Sequence, residues 1–298
     1  MTLAERVRYP DFHSRIMTAQ EAAALIPAGA NVGMSGFTGA GYPKAIPLAL
    51  AKRIEAEHAA GKSFRINVWT GASTAPELDG ALAKVDGIDM RLPFQSDPIC
   101  REKINTGKMQ FNDMHLSHVA QHAWFGFLGH LDVAVIEVLG ILPDGRLIPS
   151  TAVGNNKTWL DLADKVIIEV NSMVPEAMEG MHDVYYGTAL PPHRKPIPLT
   201  QPHERIGEPY LRVDPAMVVA VVGTHQSDRN TVFAKPDEVS QKIASHIIDF
   251  LQAEVQKGRL PKQLLPLQSG VGNVANAVLA GLQDSPFEGL TGFTEVLQ

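Results

Sequence analysis

Short apolar runs rich in β-branched residues recur along this chain, and longer segments with helical periodicity separate them. The runs lie at residues 30–34, 64–70, 132–140, 165–171 and 217–223. Apolar strands that alternate with helices are typical of a mostly parallel sheet with helices on both faces. The chain is therefore predicted to be an α/β protein, with helices at residues 43–60 and 237–257.

A proline-rich stretch divides this pattern. Residues 190–209 contain six prolines, which exclude a helix and favour an extended crossing between domains. We therefore predict a first domain at residues 1–210 and a second at residues 211–298. The second has a strand, a helix, a glycine turn and another helix, too few strands to cover a parallel sheet.

Composition excludes several classes of protein. The net charge of −6 and the scattered basic residues argue against a nucleic-acid surface. The single cysteine, Cys100, rules out a disulfide within the chain and suits a reducing compartment, and we expect it to be buried. The longest apolar runs are too short for a membrane helix, and the N-terminal residues do not form a secretory signal. We expect a cytoplasmic protein that binds neither nucleic acid nor membrane.

A glycine-rich segment, residues 33–44, directly follows the first predicted strand. Its Gly36, Thr38 and Gly39 are candidates for ligand binding, because glycines there let backbone N–H groups approach an anion. The segment lacks the Gly-Lys-Ser/Thr of a phosphate-binding Walker loop. A tight turn from strand to helix explains the same glycines equally well.

A second glycine turn spans residues 269–278. Gly270, Gly272 and Ala275 fit the pattern G-x-G-x-x-A, and Glu295 follows 20 residues after Ala275. This spacing is the one expected of a dinucleotide-binding fingerprint, although Pro266 interrupts the strand that should precede it. The turn can also form an oxyanion hole from backbone N–H groups. Glu295 is accordingly an exposed carboxylate, a ribose ligand or a nucleophile.

Histidines and one arginine complete the candidates. His115, His118 and His122 share one face of a predicted helix at residues 114–123. No Asp, Glu or Cys completes a ligand set in that helix, so we interpret them as polar helix residues and expect no metal site. Arg229, in a loop after a strand, either holds an anion or forms an ion pair with its surroundings.

Several of these segments together resemble the acetyl-CoA hydrolase/transferase family. The resemblance is carried, in order along the chain, by residues 33–38, 41–44, 185–211, 270–273 and 292–296. It covers essentially the whole chain and is strongest toward succinyl-CoA:acetate CoA-transferases. The fold that it implies is an open, mostly parallel CoA-transferase sheet with helices on both faces, followed by the start of a second, similar domain.

The resemblance also implies residue roles. Glu295 matches the nucleophile that gives an acyl-glutamyl anhydride and then a glutamyl-CoA thioester. Val271 matches a backbone donor of the oxyanion hole, and its neighbours Gly270, Gly272 and Asn273 belong to the predicted CoA site. Arg229 matches a basic residue that attracts a carboxylate substrate.

The function expected from the resemblance is transfer of CoA between succinyl-CoA or acetyl-CoA and a carboxylate such as acetate, with hydrolysis of acetyl-CoA as the alternative. CoA is expected as a substrate, with no permanently bound cofactor, and the complete protein is expected to be a homodimer. Family members are longer, so we expect a truncated second domain and a 298-residue chain that folds without activity. A nucleotide-dependent oxidoreductase and a non-catalytic ligand-binding fragment stay open as functions of other classes.

Overall fold

The computed structural model describes residues 2–229, 235–270 and 272–294. The chain forms two compact units, Met1–Pro196 with Arg205–Asn230 and Ile197–Glu204 with Thr231–Gln298. The chain passes between them within the proline-rich stretch, which contains no helix. The last strand of the sheet lies in the first unit, whereas the predicted division at residue 210 places it in the second domain.

An eight-stranded sheet forms the centre of the first unit. Its strands are β1 (Asn31–Met34), β2 (Ile66–Trp69), β3 (Ile88–Leu92), β4 (Gln110–Phe111), β5 (Val133–Ile141), β6 (Leu147–Pro149), β7 (Lys165–Asn171) and β8 (Val218–Thr224). The order across the sheet is β4-β3-β2-β1-β5-β7-β8, and β6 pairs with β5. Every pairing along that path is parallel, and only β6 runs antiparallel to its neighbour. The predicted open, mostly parallel sheet is confirmed.

The nine α-helices among the described residues vary from one turn to five. They are α1 (Leu3–Arg6), α2 (Ala19–Ala24), α3 (Ala45–Ala59), α4 (Ala81–Lys84), α5 (Pro98–Asn105), α6 (Leu116–Trp124), α7 (Asn156–Leu162), α8 (Glu238–Gln256) and α9 (Asn273–Gln283). Short 3-10 turns lie at Pro10–Arg15, Glu176–Met178 and Pro215–Met217, and a π-helical turn lies at Pro76–Gly80. The predicted helices at residues 43–60 and 237–257 correspond to α3 and α8, and each is one or two residues shorter at either end.

The sheet separates two apolar cores, because successive side chains of a strand point to opposite faces. In β5, Val133 and Val135 contribute to the core that contains α2 and α3, whereas Ala134 and Ile136 contribute to the core that contains Trp159 of α7. All nine residues of β5 are buried. A strand buried on both faces needs an unbroken apolar run, which is the pattern that the sequence shows.

In the second unit, residues 257–270 follow α8, and residues 284–294 follow α9. Asp237 caps α8 by accepting a hydrogen bond from the backbone N–H of Ser240 at 2.7 Å. Leu267 and Gly292 form a parallel bridge on either side of α9. Among the residues that the structure describes, no helix is both long and apolar enough to cross a bilayer.

Cys100 lies in α5 and is completely buried, as predicted. Burial is the main cause that raises the pKa of its thiol, and the neighbouring Asp79 and Asp97 carboxylates raise it further. A thiol in this environment stays protonated and is a poor nucleophile.

Candidate functional site

The carboxyl ends of the parallel strands meet at one edge of the first unit, and charged side chains from five of these strands or the loops after them converge there. In open α/β sheets this edge is the usual place for a ligand. The converging residues are Lys44 after β1, Glu77 after β2, Glu137 on β5, Glu169 and Asn171 on β7, and Asp228 and Arg229 after β8.

The glycine-rich segment forms a tight loop at this edge. Phe37 and Ala40 exchange backbone hydrogen bonds of 2.9 and 3.0 Å across Thr38 and Gly39. These two central residues have φ of 50° and 83°, the left-handed region that a type I′ turn requires at both positions. Thr38 is exposed at the tip of the loop, and Gly39 is buried.

Gly36 and Gly41 are required at the base of the loop. Their φ values are 125° and 61°, where a side chain is strained. A Cβ atom added to Gly36 would lie 2.7 Å from the Cβ of Tyr42, and one added to Gly41 would lie 2.7 Å from the backbone nitrogen of Ala152. The glycines of this segment therefore serve close packing of the loop, whatever else they contact.

Lys44 is the centre of a buried charged network. Its side chain is 0% exposed, and its Nζ lies 2.6 Å from Glu137 Oε2 and 2.8 Å from Asp228 Oδ1. The same ammonium donates to the carbonyl oxygen of Tyr42 at 2.8 Å. A buried charge is tolerated only when it is paired and hydrogen-bonded, and these three acceptors satisfy the three donors of the ammonium.

Glu169, on β7, caps the start of α3 from outside the helix. Its carboxylate accepts the backbone N–H groups of Lys44, Ala45 and Ile46 at 2.7, 2.9 and 3.0 Å. The first N–H groups of a helix lack partners within it, and a negative charge there is stabilised by the helix dipole. The carboxylate thereby fixes where the glycine-rich segment ends and α3 begins.

Glu137, Glu169 and Asp228 place three carboxyl groups near the single positive charge of Lys44, and one positive charge does not offset the free-energy cost of ionising all three. Burial is the main cause that raises the pKa of Glu137 to about 8; Lys44 lowers it, and Glu169 and Asp228 raise it. Burial by itself lowers the pKa of Lys44, but Glu137 and Asp228 outweigh burial and raise it. Lys44 therefore stays charged, and Glu137 holds its proton over much of the neutral range.

Asn171 and Asp228 attach the loop after β8 to this network. The side-chain amide of Asn171 donates to Glu137 Oε2 at 3.1 Å and to the carbonyl of Gln226 at 2.8 Å. The Asp228 carboxylate also accepts the backbone N–H of Gly41 at 3.2 Å and the hydroxyl of Thr151. The backbone that leads into Arg229 is therefore held by several independent bonds.

Arg229 itself forms an ion pair at the surface of this edge. Its Nε donates to Glu77 Oε1 at 2.8 Å, and Glu77 Oε2 accepts the hydroxyl of Tyr42 at 3.0 Å. The Arg229 side chain is 66% exposed, whereas that of Glu77 is 14% exposed. The structure brings Arg229 to the same edge as Gly36, Thr38 and Gly39.

In the second unit, hydrogen bonds join the glycine turn to the segment at the chain end. Thr294 Oγ1 accepts the backbone N–H of Ser269 at 3.2 Å and donates to the carbonyl of Ser269 at 3.0 Å. Leu267 N donates to Thr291 O, and Phe293 N donates to Leu267 O, each at 2.9 Å. The chain just before residue 271 and the chain just before residue 295 therefore run side by side.

The two residues to which the family resemblance assigns the central roles, Val271 and Glu295, lie outside the described residues. Of the neighbours predicted for the CoA site, Gly270 is exposed, Gly272 is the N-cap of α9 with φ of 141°, and Asn273 is the first residue of that helix. The structure thus brings Gly270, Gly272 and Asn273 together at a helix N-terminus. Backbone N–H groups at such a position favour a negative oxygen.

A cavity of about 930 Å³ opens beside this turn within the second unit. Its walls come from α8, α9 and the two hydrogen-bonded segments, and they include Ile247, Leu251, Gly270, Leu279 and Thr294. A cleft of this size with mostly apolar walls and a few polar groups can hold a small organic ligand.

His118 and His122 lie on α6, and His115 is the N-cap residue of that helix. The rings of His115 and His118 are 5.4 Å apart, and those of His118 and His122 are 6.1 Å apart. Within the described ranges, the group with metal-ligand spacing is a different one, formed by His130, Asp132 and Asp164. His130 and Asp164 are each 63% exposed and form an ion pair at 2.8 Å.

The buried network was missed from the sequence, although a signal was present. Glu137 and Glu169 each interrupt an apolar strand run that is otherwise buried on both faces. A carboxylate at such a position must find a partner, so it marks either an ion pair or a site. Lys44 was noticed only as the end of the glycine-rich segment.

Comparisons with known proteins identify the family. Residues 1–223 match the acetyl-CoA hydrolase/transferase N-terminal domain. The chain is 42% identical over 294 residues to a succinyl-CoA:acetate CoA-transferase of Clostridium kluyveri, covering 99% of this chain and 54% of that protein. It is also 42% identical over 305 residues to an acetyl-CoA hydrolase of Schizosaccharomyces pombe, covering 99% and 58%. The chain thus spans little more than half the length of these relatives.

Two solved structures share the fold at low identity. RipA from Yersinia pestis has a TM-score of 0.67 and 18% identity, covering 96% of this chain and 57% of that one. A 4-hydroxybutyrate CoA-transferase from Porphyromonas gingivalis has a TM-score of 0.54 and 16% identity, covering 93% and 53%. At such identities the likeness concerns the fold alone.

Proposed function

The chain belongs to the acetyl-CoA hydrolase/transferase family, and we propose that it acts in transfer of CoA between succinyl-CoA or acetyl-CoA and a carboxylate such as acetate. A relative from Escherichia coli, 42% identical over 95% of this chain and 57% of its own length, is a propanoyl-CoA:succinate CoA transferase. The names of these relatives support a short acyl-CoA and a short carboxylate as the two substrates.

In the proposed mechanism the Glu295 carboxylate attacks the thioester carbonyl and expels the CoA thiolate, which gives an acyl-glutamyl anhydride. The thiolate then attacks the glutamyl carbonyl and releases the first carboxylate, leaving CoA as a thioester on Glu295. The acceptor carboxylate attacks that thioester, and the same two steps in reverse give the new acyl-CoA and free Glu295. Each bond broken is replaced by one formed, so no cofactor is required.

The observation that supports this mechanism most directly is the pair of hydrogen bonds between Ser269 and Thr294. They join the residues just before Val271 and just before Glu295. An oxyanion donor must lie close to the reacting carbonyl, so the proposed roles of Val271 and Glu295 require these two segments to be adjacent, as Ser269 and Thr294 are. Family membership favours this use of the glycine turn over a dinucleotide site.

The remaining residues have proposed roles in binding. We assign Gly270, Gly272 and Asn273 to the CoA site, and Gly36, Thr38 and Gly39 to the substrate pocket. Arg229 attracts the carboxylate substrate through its guanidinium, which matches carboxylate geometry. CoA enters as a substrate, and we propose a cytoplasmic homodimer.

Hydrolysis of acetyl-CoA is the second candidate, because relatives of equal identity are acetyl-CoA hydrolases. A hydrolase differs only in the last half-reaction, where water attacks the glutamyl thioester and releases CoA.

The test is an assay of the full-length protein with succinyl-CoA in the presence and absence of acetate. A transferase makes acetyl-CoA and succinate in equal amounts and releases little free CoA without acetate, whereas a hydrolase releases free CoA in both cases. Glu295→Gln should abolish either reaction, because it deletes the covalent route. Glu288→Gln, an exposed glutamate on the same segment, is the matched control and should keep full activity. Activity that survives in Glu295→Gln would contradict the proposal.

A further inference from the structure

The ion pair between Arg229 and Glu77 is strongly asymmetric. Glu77 is mostly buried, and Arg229 is mostly exposed, with 14% and 66% of the side chains accessible. Among the described residues, Glu77 is the sole hydrogen-bond partner of the Arg229 guanidinium, through Nε at 2.8 Å. A guanidinium has five N–H donors, so most of this group remains available to a further acceptor.

Glu77 is held in place from behind by Tyr42. The phenol donates to Glu77 Oε2 at 3.0 Å, and the Tyr42 side chain is fully buried. Burial and the Glu77 carboxylate raise the pKa of Tyr42, so the phenol keeps the proton that it donates. The Lys44 ammonium lies 4.1 Å from the centre of the Tyr42 ring and stabilises the ring by a cation–π contact.

The backbone beside Arg229 is fixed as well. The carboxylate of Asp228 is bound by Lys44 Nζ, by the backbone N–H of Gly41 and by Thr151. Arg229 can therefore leave Glu77 by rotation of its own side chain, without displacement of the loop. Such a rotation requires only side-chain torsions, which change rapidly at exposed positions.

We propose that Glu77 is an internal carboxylate that occupies Arg229 until a carboxylate substrate replaces it, so that Glu77 sets the affinity for the small carboxylate. This inference rests on the proposed function, because it takes Arg229 to be the group that attracts the carboxylate substrate. Glu77 has the same functional group as acetate or succinate, and the Arg229 guanidinium already points toward it. It acts on the reaction through Arg229 and is a positioning residue.

The size of the effect follows from the exposure of the pair. Arg229 is mostly exposed, and ion pairs that solvent reaches contribute little to stability, so a purely structural role for this one would be weak. The free energy of the Arg229–Glu77 ion pair nevertheless reduces the binding free energy of the carboxylate substrate by its full amount, because the substrate must break the pair before it binds Arg229. We expect removal of the Glu77 charge to lower the KM for acetate about two- to five-fold, which is the change in affinity that corresponds to the free energy of an ion pair open to solvent.

The test compares Glu77→Gln with a matched control, Glu179→Gln. Glu179 has the same two kinds of partner, Arg8 at 3.1 Å and the hydroxyl of Tyr210 at 3.3 Å, but neither belongs to the network around Lys44. In Glu77→Gln the KM for acetate should fall while the KM for the acyl-CoA does not fall with it. Glu179→Gln should leave both constants at their wild-type values.

Chemical labelling of Arg229 gives a readout that does not require turnover. Phenylglyoxal should modify Arg229 about two- to five-fold faster in Glu77→Gln than in the wild type, as measured by mass spectrometry of the peptide. Tyr42→Phe keeps the Glu77 charge but removes the hydrogen bond that the Tyr42 hydroxyl donates to Glu77. It should raise the rate of Arg229 labelling by less than Glu77→Gln does. An unchanged rate in Glu77→Gln, whether or not the protein transfers CoA, would overturn the inference. Absence of CoA transfer by the full-length wild-type protein would instead reject the proposed function.

Discussion

The two candidate regions hold their functional groups by different means. At the edge of the sheet in the first unit, buried charges fix the glycine-rich loop and the residue before Arg229, with Lys44 at the centre. At the turn in the second unit, the fixed groups are backbone N–H and carbonyl groups, held through Thr294 and a helix N-cap at Gly272. The first region should therefore be sensitive to loss of charge, and the second to a change in backbone geometry.

The largest effect is expected from Lys44→Met. The variant leaves Glu137 and Asp228 without their common partner, and breaking a buried pair costs about 3–5 kcal/mol. The free energy of unfolding in urea should fall by that amount. Lys62→Met removes an exposed lysine that pairs with Glu57, and it should change the free energy of unfolding by less than about 0.5 kcal/mol. Equal losses in both variants would show that the buried network is no more sensitive to loss of charge than the exposed surface of the same unit.

In the second unit, catalytic activity should depend on the backbone geometry of the glycine turn. Gly272 has φ of 141°, so Gly272→Val strains the turn and displaces the proposed oxyanion donor. We expect a loss of about 10²-fold in kcat, the usual cost of one such donor. Val271→Ala changes a side chain while keeping the N–H, and it should be mild. Comparable kcat values for the two variants, both correctly folded by circular dichroism, would argue against an oxyanion role.

A smaller effect should appear in the pH dependence of stability. Because the pKa of Glu137 in the native state is about 8, its carboxyl keeps its proton up to that pH, whereas the unfolded chain releases the proton near the ordinary pKa of 4.5. The native state therefore binds more protons between these values, and the contribution of Glu137 to stability falls as pH rises through this window. Glu137→Gln should thus gain stability relative to the wild type between pH 5 and pH 8.

Urea unfolding at several pH values measures this difference, and Glu57→Gln is the control. Lys62 lowers the pKa of Glu57 by a hydrogen bond, so its contribution is complete before pH 5 and should stay constant. If the difference in free energy of unfolding between Glu137→Gln and the wild type is also constant with pH, the buried Glu137 carboxyl is ionised throughout the range from pH 5 to pH 8.

Much of the fold could be predicted because buried strands have a simple signature. The apolar run at residues 165–171 coincides with β7, and the other predicted strands are within two residues of β1, β2, β5 and β8. Strand β3 was missed because Asp89 and Arg91 interrupt its apolar pattern. Arg91 is nevertheless fully buried, since its guanidinium pairs with Asp79 at 2.7 Å, a contact that no local pattern reveals.

The candidate site was predictable only in part. Glycine turns are visible as local patterns, and Arg229 is a candidate because it lies in a loop after a strand, whereas its role comes from the resemblance. The network around Lys44 joins residues 93 and 125 positions apart, so strand order has to be known before its members can be seen to meet. The roles of Val271 and Glu295 stay predictions.

The most direct test of the proposed mechanism is the covalent intermediate. The full-length protein is incubated with succinyl-CoA in the absence of acetate, digested and analysed by mass spectrometry. A thioester of CoA on the peptide that contains Glu295, discharged when acetate is added, is the predicted result. A CoA adduct on another residue, or full CoA transfer without any adduct on that peptide, would contradict it.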